Sequence, residues 1–84
     1  MSKSFMLEIL TPEKMLFNGE VESLEAPSIL GSFGVLKDHA PFLAVLKKGK
    51  IKYLHGNIHE ELSIEEGFVE VLPGKVRILV EGCE

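Results

Sequence analysis

Asp38 and His39 form the residue pair in this sequence that comes nearest to acid–base chemistry, with Ser28 and Ser32 in the same segment as conceivable nucleophiles. A Ser–His–Asp arrangement needs the acid to orient the imidazole. Neighbouring residues of an extended segment point to opposite sides, so Asp38 is badly placed to orient His39. Neither serine lies in the Gly-x-Ser-x-Gly pattern of a nucleophile elbow. We therefore interpret His39 as a residue of a turn or an interface.

His55 and His59 are the second candidate, because a spacing of four places two metal ligands on one face of a helix. Gly56 and Asn57 lie between them and disfavour a helix, and neither a cysteine nor a third histidine completes a ligand set. The glycines match neither a dinucleotide-binding fingerprint nor a phosphate-binding loop. The sequence predicts no catalytic residue, no cofactor and no metal.

The composition is that of one small soluble domain, which we assign to residues 1–84. The formal net charge of −4 argues against binding of nucleic acid by its phosphates. Cys83 is the only cysteine, so an internal disulfide is excluded. Met1 to Lys14 has no signal-peptide pattern, and no apolar run approaches the roughly 20 residues of a membrane helix. Any membrane association is expected to come through a partner.

Charged residues cluster in two short segments of opposite sign. The basic residues are Lys47, Lys48, Lys50 and Lys52, and the acidic residues are Glu60, Glu61, Glu65 and Glu66. We interpret both clusters as solvated strand faces and the rim of a turn.

The dominant hydrophobic period is two, which indicates strands. Phe5, Leu7 and Ile9 share one face of the first predicted strand. The alternation slips between Val21 and Leu24, where a one-residue bulge would keep the apolar side chains on one face. Turns are predicted at His55-Gly56-Asn57 and at Leu72-Pro73-Gly74-Lys75, the latter with proline second and glycine third. The pattern predicts an all-β fold, a flattened antiparallel sandwich or barrel of about ten short strands.

The unbroken apolar run from Phe42 to Leu46 supplies more apolar side chains than one inner face of a strand can use. The same excess occurs in Phe5-Met6-Leu7, Met15-Leu16-Phe17 and Ile78-Leu79-Val80. Exposed apolar patches of this kind mark protein interfaces, although the domain could also cover these positions with its own loops. We favour a protein partner.

Several stretches resemble the epsilon subunit family of rotary F-type ATP synthases. The segment Phe17-Asn18-Gly19-Glu20-Val21 and the segment from Gly34 to Leu43 are similar to the family's F-x-G-x-V and G-I-L-P-G-H-A-P-L-L patterns. Downstream, Gly49-x-Ile51, Glu66 to Val71 and Val76 to Val80 are similar to its G-x-I, G-G-x-x-E-V and closing strand. The resemblance covers essentially the whole chain in order.

The resemblance implies a non-catalytic rotor subunit that links the gamma shaft to the c-ring, so that ion-driven rotation is coupled to ATP synthesis. Its implied place is peripheral, on the cytoplasmic face of the bacterial inner membrane or the equivalent stromal side. We expect Phe42, Leu43, Ala44 and Val45 near the shaft, and Ser32, Lys37, Asp38 and His39 toward the ring. Lys37-Asp38 replaces the family's Pro-Gly. Ser32 replaces a common acid, so an acidic contact with the ring does not carry over.

Most members of the family continue into a C-terminal helical hairpin that can inhibit ATP hydrolysis and in some members binds ATP. We expect these residues to form the β-sandwich without that hairpin, as in a short form of the family or a truncated chain, so neither activity is assigned to them. The alternative to a rotor subunit is an isolated ligand-binding barrel for nucleic acid or carbohydrate. Such a barrel needs a basic or aromatic face, but the sequence has no tryptophan, one tyrosine and an acidic balance.

Overall fold

The computed structural model describes residues 4–28, 31–35 and 41–81, with the backbone alone over 31–35. The predictions for Lys37, Asp38 and His39 lie outside the described residues. Nine strands occupy the described part, against the prediction of about ten. They are β1 (Phe5–Leu10), β2 (Met15–Val21), β3 (Ser23–Ser28), β4 (Gly31–Val35), β5 (Phe42–Leu46), β6 (Gly49–His55), β7 (Ile58–Ile64), β8 (Glu66–Leu72) and β9 (Lys75–Glu81).

The strands form one sheet, in the order β2-β1-β9-β8-β5-β3-β6-β7 with β4 paired to β3, and the sheet curls over a shared core, which confirms the predicted all-β sandwich or barrel. The two halves of this sheet are called the front and back layers below. The front layer has the order β2-β1-β9-β8-β5, and the back layer contains β3, β4, β6 and β7. The layers are joined at β3 and β5, whose pairing is the single bridge Ser28↔Leu46. One pair departs from the predicted antiparallel arrangement, because β1 and β9 run parallel. Their pairing joins the two ends of the described chain in the middle of the front layer.

The core lies between the two layers and is built by strict alternation along the strands. β1 and β9 show it most clearly, since every second residue is buried. The side chains at least 98% buried include Leu7, Ile9, Val69, Val71, Ile78 and Val80 from the front layer and Leu24, Ile51 and Ile64 from the back layer. Burial of an aliphatic side chain stabilises the fold by about 1.5–3 kcal/mol. This core therefore accounts for the stiffness of so small a domain.

The predicted slip between Val21 and Leu24 is a bend at Glu22 that separates β2 from β3. Val21 and Leu24 are both buried on the core side, as the predicted bulge required. The Glu22 N–H donates to the carbonyl of Leu54 at 2.8 Å, which holds the bend against β6.

Both predicted hairpin turns are confirmed. Gly56 has φ 65° in the turn between β6 and β7, and Gly74 has φ 72° in the turn between β8 and β9. Pro73 and Gly74 thus take the places that a two-residue turn of this kind favours for them.

An aromatic contact closes the sandwich where β2 meets β6. The rings of Phe17 and Tyr53 lie 4.7 Å apart between centroids, and Phe17 meets the His55 ring edge-on at 5.2 Å. His55 Nδ1 lies 3.1 Å from the carbonyl oxygen of Glu20. Burial, with a smaller contribution from Glu60, raises the pKa of the Tyr53 phenol. The contacts of His55 with Phe17 and Glu20 give it a structural role where β2 meets β6.

Candidate functional site: an apolar face of the front layer

The outward side of the front layer, called the front face below, carries an apolar row that crosses all its strands. Cross-strand register aligns Val45 with Phe68, Phe68 with Leu79, Leu79 with Leu10, and Leu10 with Met15. Val45 is 53% exposed, Phe68 48% and Met15 45%. Val45 and Phe68 are out of phase with the buried positions of their strands, and the register shift between Ile9 and Leu10 places Met15 opposite Leu10. The apolar row is therefore not part of the core.

A groove of about 670 Å³ lies over one end of this row. Pro12, Val45, Phe68 and Leu79 supply its apolar lining. Lys47 and Lys48 line it on the β5 side, and Glu65, Glu66 and Glu81 line it beside β8 and β9. A groove with an apolar lining and a charged rim is suited to a segment of another macromolecule.

Gly67 also lines this groove and pairs with the buried residues Leu46 and Val80. A Cβ at this position would meet the carbonyl oxygen of Leu79 and would lie 3.1 Å from the Cα of Val80. The close approach of β8 to β9 at this point therefore requires glycine.

An ordered charged row runs beside the apolar row. Arg77 Nε donates to Glu8 Oε1 at 3.1 Å, and Lys75 Nζ lies 3.5 Å from Glu8 Oε2. The Arg77 hydrogen bond, assisted by the charges of Lys75 and Arg77 and opposed by desolvation, lowers the pKa of Glu8. Glu70 stands opposite Arg77 on β8. Glu8 thus fixes two cations on the front face across the parallel β1–β9 pair.

The predicted shaft-side residues divide between the two sides of β5. Leu43 is 70% exposed and points outward with Val45. On the other side of β5, Phe42 pairs with Val71 and Ala44 with Val69. Ala44 packs against the core, whereas Phe42 at the start of the strand is 40% exposed. The shaft-side assignment stays a prediction, and the geometry assigns Leu43 and Val45 to the front face.

Of the predicted ring-side residues, Ser32 lies in β4, where it pairs with Pro27. Lys37, Asp38 and His39 belong to the segment between β4 and β5 that is not described. The ring-side assignment therefore also stays a prediction.

His55 and His59 cannot form a joint metal site. In the β6–β7 register His55 pairs with Ile58, whereas His59 pairs with Leu54, which puts the two rings on opposite faces of the hairpin. Over residues 4–28, 31–35 and 41–81 no group of three or more metal-ligating side chains occurs.

The predicted basic cluster is dispersed. Lys50 pairs with Glu61 on the back layer at 3.4 Å, whereas Lys47 and Lys48 line the groove on the front. These four lysines therefore do not form one continuous basic surface for a phosphate backbone.

The sequence pattern identified part of the front face. The excess apolar positions Leu79 and Met15 both lie in the apolar row, and Met6 is exposed on the same side. Phe68 and the Glu8–Arg77 pair were missed. Phe68 was detectable as the aromatic residue out of phase with Val69 and Val71, but nothing local couples Glu8 to a residue 69 positions away.

A β domain with a sealed core and one apolar outer face is suited to contact with another protein. Residues 4–84 match the family model of the beta-sandwich domain of the ATP synthase delta/epsilon chain. The chain belongs to this family, as the resemblance in its sequence indicated. Among the described residues, no helix of the length and apolarity needed to cross a membrane is found.

Similar proteins carry the name ATP synthase epsilon chain. The chain is 40% identical over its whole length to the one from Desulfosudis oleivorans and spans 64% of that protein. It is 45% identical to the one from Chlorobium limicola, with 94% of this chain and 91% of the relative covered. The chain thus spans less than two thirds of one relative and most of the other.

Solved structures share the fold at low sequence identity. One is the central stalk and c-ring of the Tetrahymena thermophila mitochondrial ATP synthase, with a TM-score of 0.79 at 18% identity, covering 94% of this chain and 64% of that one. The other is the Euglena gracilis mitochondrial ATP synthase with OSCP, F1 and c-ring, with a TM-score of 0.90 at 20% identity, covering 100% of this chain and 54% of that one. Both matches concern the fold alone.

Proposed function

We propose that this chain is a non-catalytic central-stalk subunit of an F-type ATP synthase, which links the gamma shaft to the c-ring and transmits ion-driven rotation toward ATP synthesis. It would act as a peripheral protein on the cytoplasmic face of the bacterial inner membrane, or on the equivalent stromal side. Family membership and the names of its relatives support the assignment of this chain to an ATP synthase complex. The assignment of gamma as its direct partner rests on the resemblance together with the front face.

The observation that carries the proposal is the position of Leu43 and Val45. They are 70% and 53% exposed on β5, where Val45 ends the apolar row opposite Phe68 and Leu43 ends the neighbouring charged row opposite Glu70. Exposed aliphatic side chains on a rigid strand lose little conformational freedom when a partner covers them. The front face is therefore the surface that we assign to the shaft.

Transmission of torque requires a body that does not deform between its two contacts. The two layers share one core, and the parallel β1–β9 pair is reinforced by the Glu8–Arg77 and Glu8–Lys75 ion pairs. Closely packed interiors are poorly compressible and transmit strain. We place the ring-side contact at Ser32, Lys37, Asp38 and His39, on the resemblance alone.

Association with the gamma subunit tests this proposal. The wild-type chain is expected to co-purify with gamma and to bind it in calorimetry. Leu43→Glu should weaken binding by at least about 30-fold, equivalent to about 2 kcal/mol, since it buries a charge in an apolar contact. Its thermal unfolding should stay close to wild type, because Leu43 is 70% exposed.

Ile58→Glu is the matched control, since Ile58 is also apolar and 57% exposed but lies on the β6–β7 hairpin. It should bind gamma like the wild-type chain. Absence of any association of the wild-type chain, or equal binding by both variants, would contradict the assignment of the front face to the shaft.

A further inference from the structure

Asn18-Gly19 is a pair typical of hairpin turns, yet the structure places both residues inside β2. The ring of Phe17 folds across Gly19, where an added Cβ would lie 3.2 Å from Phe17 Cζ and 3.8 Å from His55 Cε1. An aromatic ring over a strand glycine supports the strand at that point. The aromatic closure of the sandwich therefore favours glycine directly after Asn18.

An Asn-Gly step is chemically reactive, because glycine has no Cβ to hinder attack by its nitrogen on the preceding side chain. The Gly19 nitrogen attacks Cγ of Asn18, a C–N bond forms, the Cγ–Nδ2 bond breaks, and ammonia leaves with the Gly19 amide proton. Water then opens the resulting succinimide at either carbonyl and leaves aspartate or isoaspartate at position 18. The net reaction consumes water, releases ammonia and transfers no electrons.

The position of β2 in the sheet controls this reaction. Within the described residues β2 is an end strand, with β1 as its one neighbour in the sheet. The Met6 N–H donates to the Gly74 carbonyl at 3.0 Å, so Met6 faces β9 and, by alternation, Leu7 faces β2. Leu7 pairs with Gly19, so the Gly19 N–H is engaged between the strands. Attack on Asn18 thus requires β2 to open, and strands with few neighbours open most readily.

The charges around Asn18 determine what its modification does. Asn18 is exposed on the front face and lies directly opposite Glu8, in the type of pair that brings two side chains closest. Arg77 and Lys75 hold Glu8 from β9, and Glu20 follows Asn18 by two residues on the same side. A carboxylate at position 18 would put like charges opposite each other across β1 and β2, which is destabilising. Isoaspartate would also lengthen the main chain and disturb the register of β2.

We propose that Asn18 is a modification site that deamidates when β2 opens, and that the product makes β2 open more often. The reaction needs water alone. Because the new carboxylate weakens the strand whose opening exposes the amide, a modified chain is looser at this edge of the front layer than an unmodified one. The site lies outside the contacts that the proposed function assigns, so it stands or falls independently of them.

The reaction can be followed site by site, since Asn18 and Asn57 are the only side-chain amides of the sequence. The chain is incubated in mildly alkaline buffer with and without urea, and both sites are followed by peptide mass spectrometry and isoaspartyl methyltransferase labelling. Asn18 should deamidate at least about tenfold more slowly in buffer than in urea. Asn57 is exposed but precedes the branched Ile58, and this internal control should react far more slowly than Asn18. Equal rates at Asn18 with and without urea, or no reaction at Asn18 in the folded chain, would overturn the proposal.

A second comparison tests the opening of β2. Phe17→Leu removes the ring over Gly19 and its contact with Tyr53, so it should accelerate deamidation of Asn18 in buffer but not in urea. Phe68→Leu is the matched control, because Phe68 is an aromatic residue of the front face in β8, and it should leave the rate unchanged. Equal rates in the two variants would contradict control by β2.

The effect of the product is measured directly with Asn18→Asp. This substitution should lower the unfolding temperature by about 2–6 °C, as expected for like charges opposite each other in a domain of this size. In a Glu8→Gln background the opposite charge is absent, so Asn18→Asp should lower the unfolding temperature less. An unchanged unfolding temperature, or an equal shift in both backgrounds, would refute the proposed consequence of the modification.

Discussion

The outward sides of the two layers are built on the same alternation but carry different chemistry. On the back layer, Glu25, Lys52 and Glu61 are aligned across three strands, and their charges alternate in sign. On the front layer, the corresponding outward positions of β5, β8 and β9 are Val45, Phe68 and Leu79. The back layer shows that this fold can solvate an outer face with charge, so the apolar row of the front layer is not required for folding.

The ion pairs of the two layers differ in how far their side chains are exposed to solvent. The Lys50–Glu61 pair of the back layer has side chains that are 59% and 53% exposed, whereas the Glu8 side chain of the front layer is 18% exposed and contacts two cations. Exposed pairs contribute about 0–1 kcal/mol. The charged side chains of the Lys50–Glu61 pair are therefore mostly solvated, whereas Glu8 of the front layer is held between Lys75 and Arg77.

The largest loss of stability is expected from substitutions of inward-facing residues, which are buried in both layers. Leu46→Ala in the front layer and Ile51→Ala in the back layer should each lower the free energy of unfolding by about 2–5 kcal/mol, since both residues are at least 99% buried. Denaturant unfolding would measure it. Leu43→Ala is the control and should cost less than about 0.5 kcal/mol. If Leu43→Ala lowered the free energy of unfolding as much as Leu46→Ala, Leu43 would belong to the core, and the distinction between the outward and inward sides of β5 would be wrong.

A smaller effect is expected at Gly67, which lines the groove of the front layer. Gly67→Ala should destabilise by about 1–3 kcal/mol, because its Cβ would meet the Leu79 carbonyl and β8 must move away from β9. Gly56→Ala in the β6–β7 turn meets no atom within 4 Å but keeps a φ of 65°, and should cost about 1–2 kcal/mol from backbone strain alone. Binding to the gamma subunit distinguishes the two variants, since Gly67→Ala should weaken binding and Gly56→Ala should not.

The smallest effect concerns the ordered charge of the front layer. The pKa of Glu8 is lowered in the folded chain, so its stabilising contribution is present above the unfolded glutamate pKa and is lost as the pH falls through the lower folded value. Glu8→Gln should therefore flatten the decline of stability as the pH falls below the unfolded glutamate pKa. Thermal unfolding at a series of pH values measures this. A decline of stability at low pH that is unchanged in Glu8→Gln would contradict the ordering of the front-face charges.

The sequence predicted most of the fold because strands and turns depend on neighbours along the chain. The alternation of Phe5, Leu7 and Ile9 indicated a buried strand face, and Pro73-Gly74 indicated a tight turn. The parallel pairing of β1 with β9 was not predicted, since no local pattern distinguishes a parallel partner from an antiparallel one. The surplus of apolar residues indicated an interface but did not predict its position on the surface.

What the sequence determined by itself is the all-β class, the inward face of the strands, the turns and the presence of apolar side chains beyond the needs of a core. Only the tertiary structure decided that Val45, Phe68, Leu79, Leu10 and Met15 form one row, and that Glu66 and Glu81 are opposite each other beside it. The physical reason is that the alternation of a strand is set by its own backbone, whereas register between strands distant in sequence is set only when the layers close over a shared core.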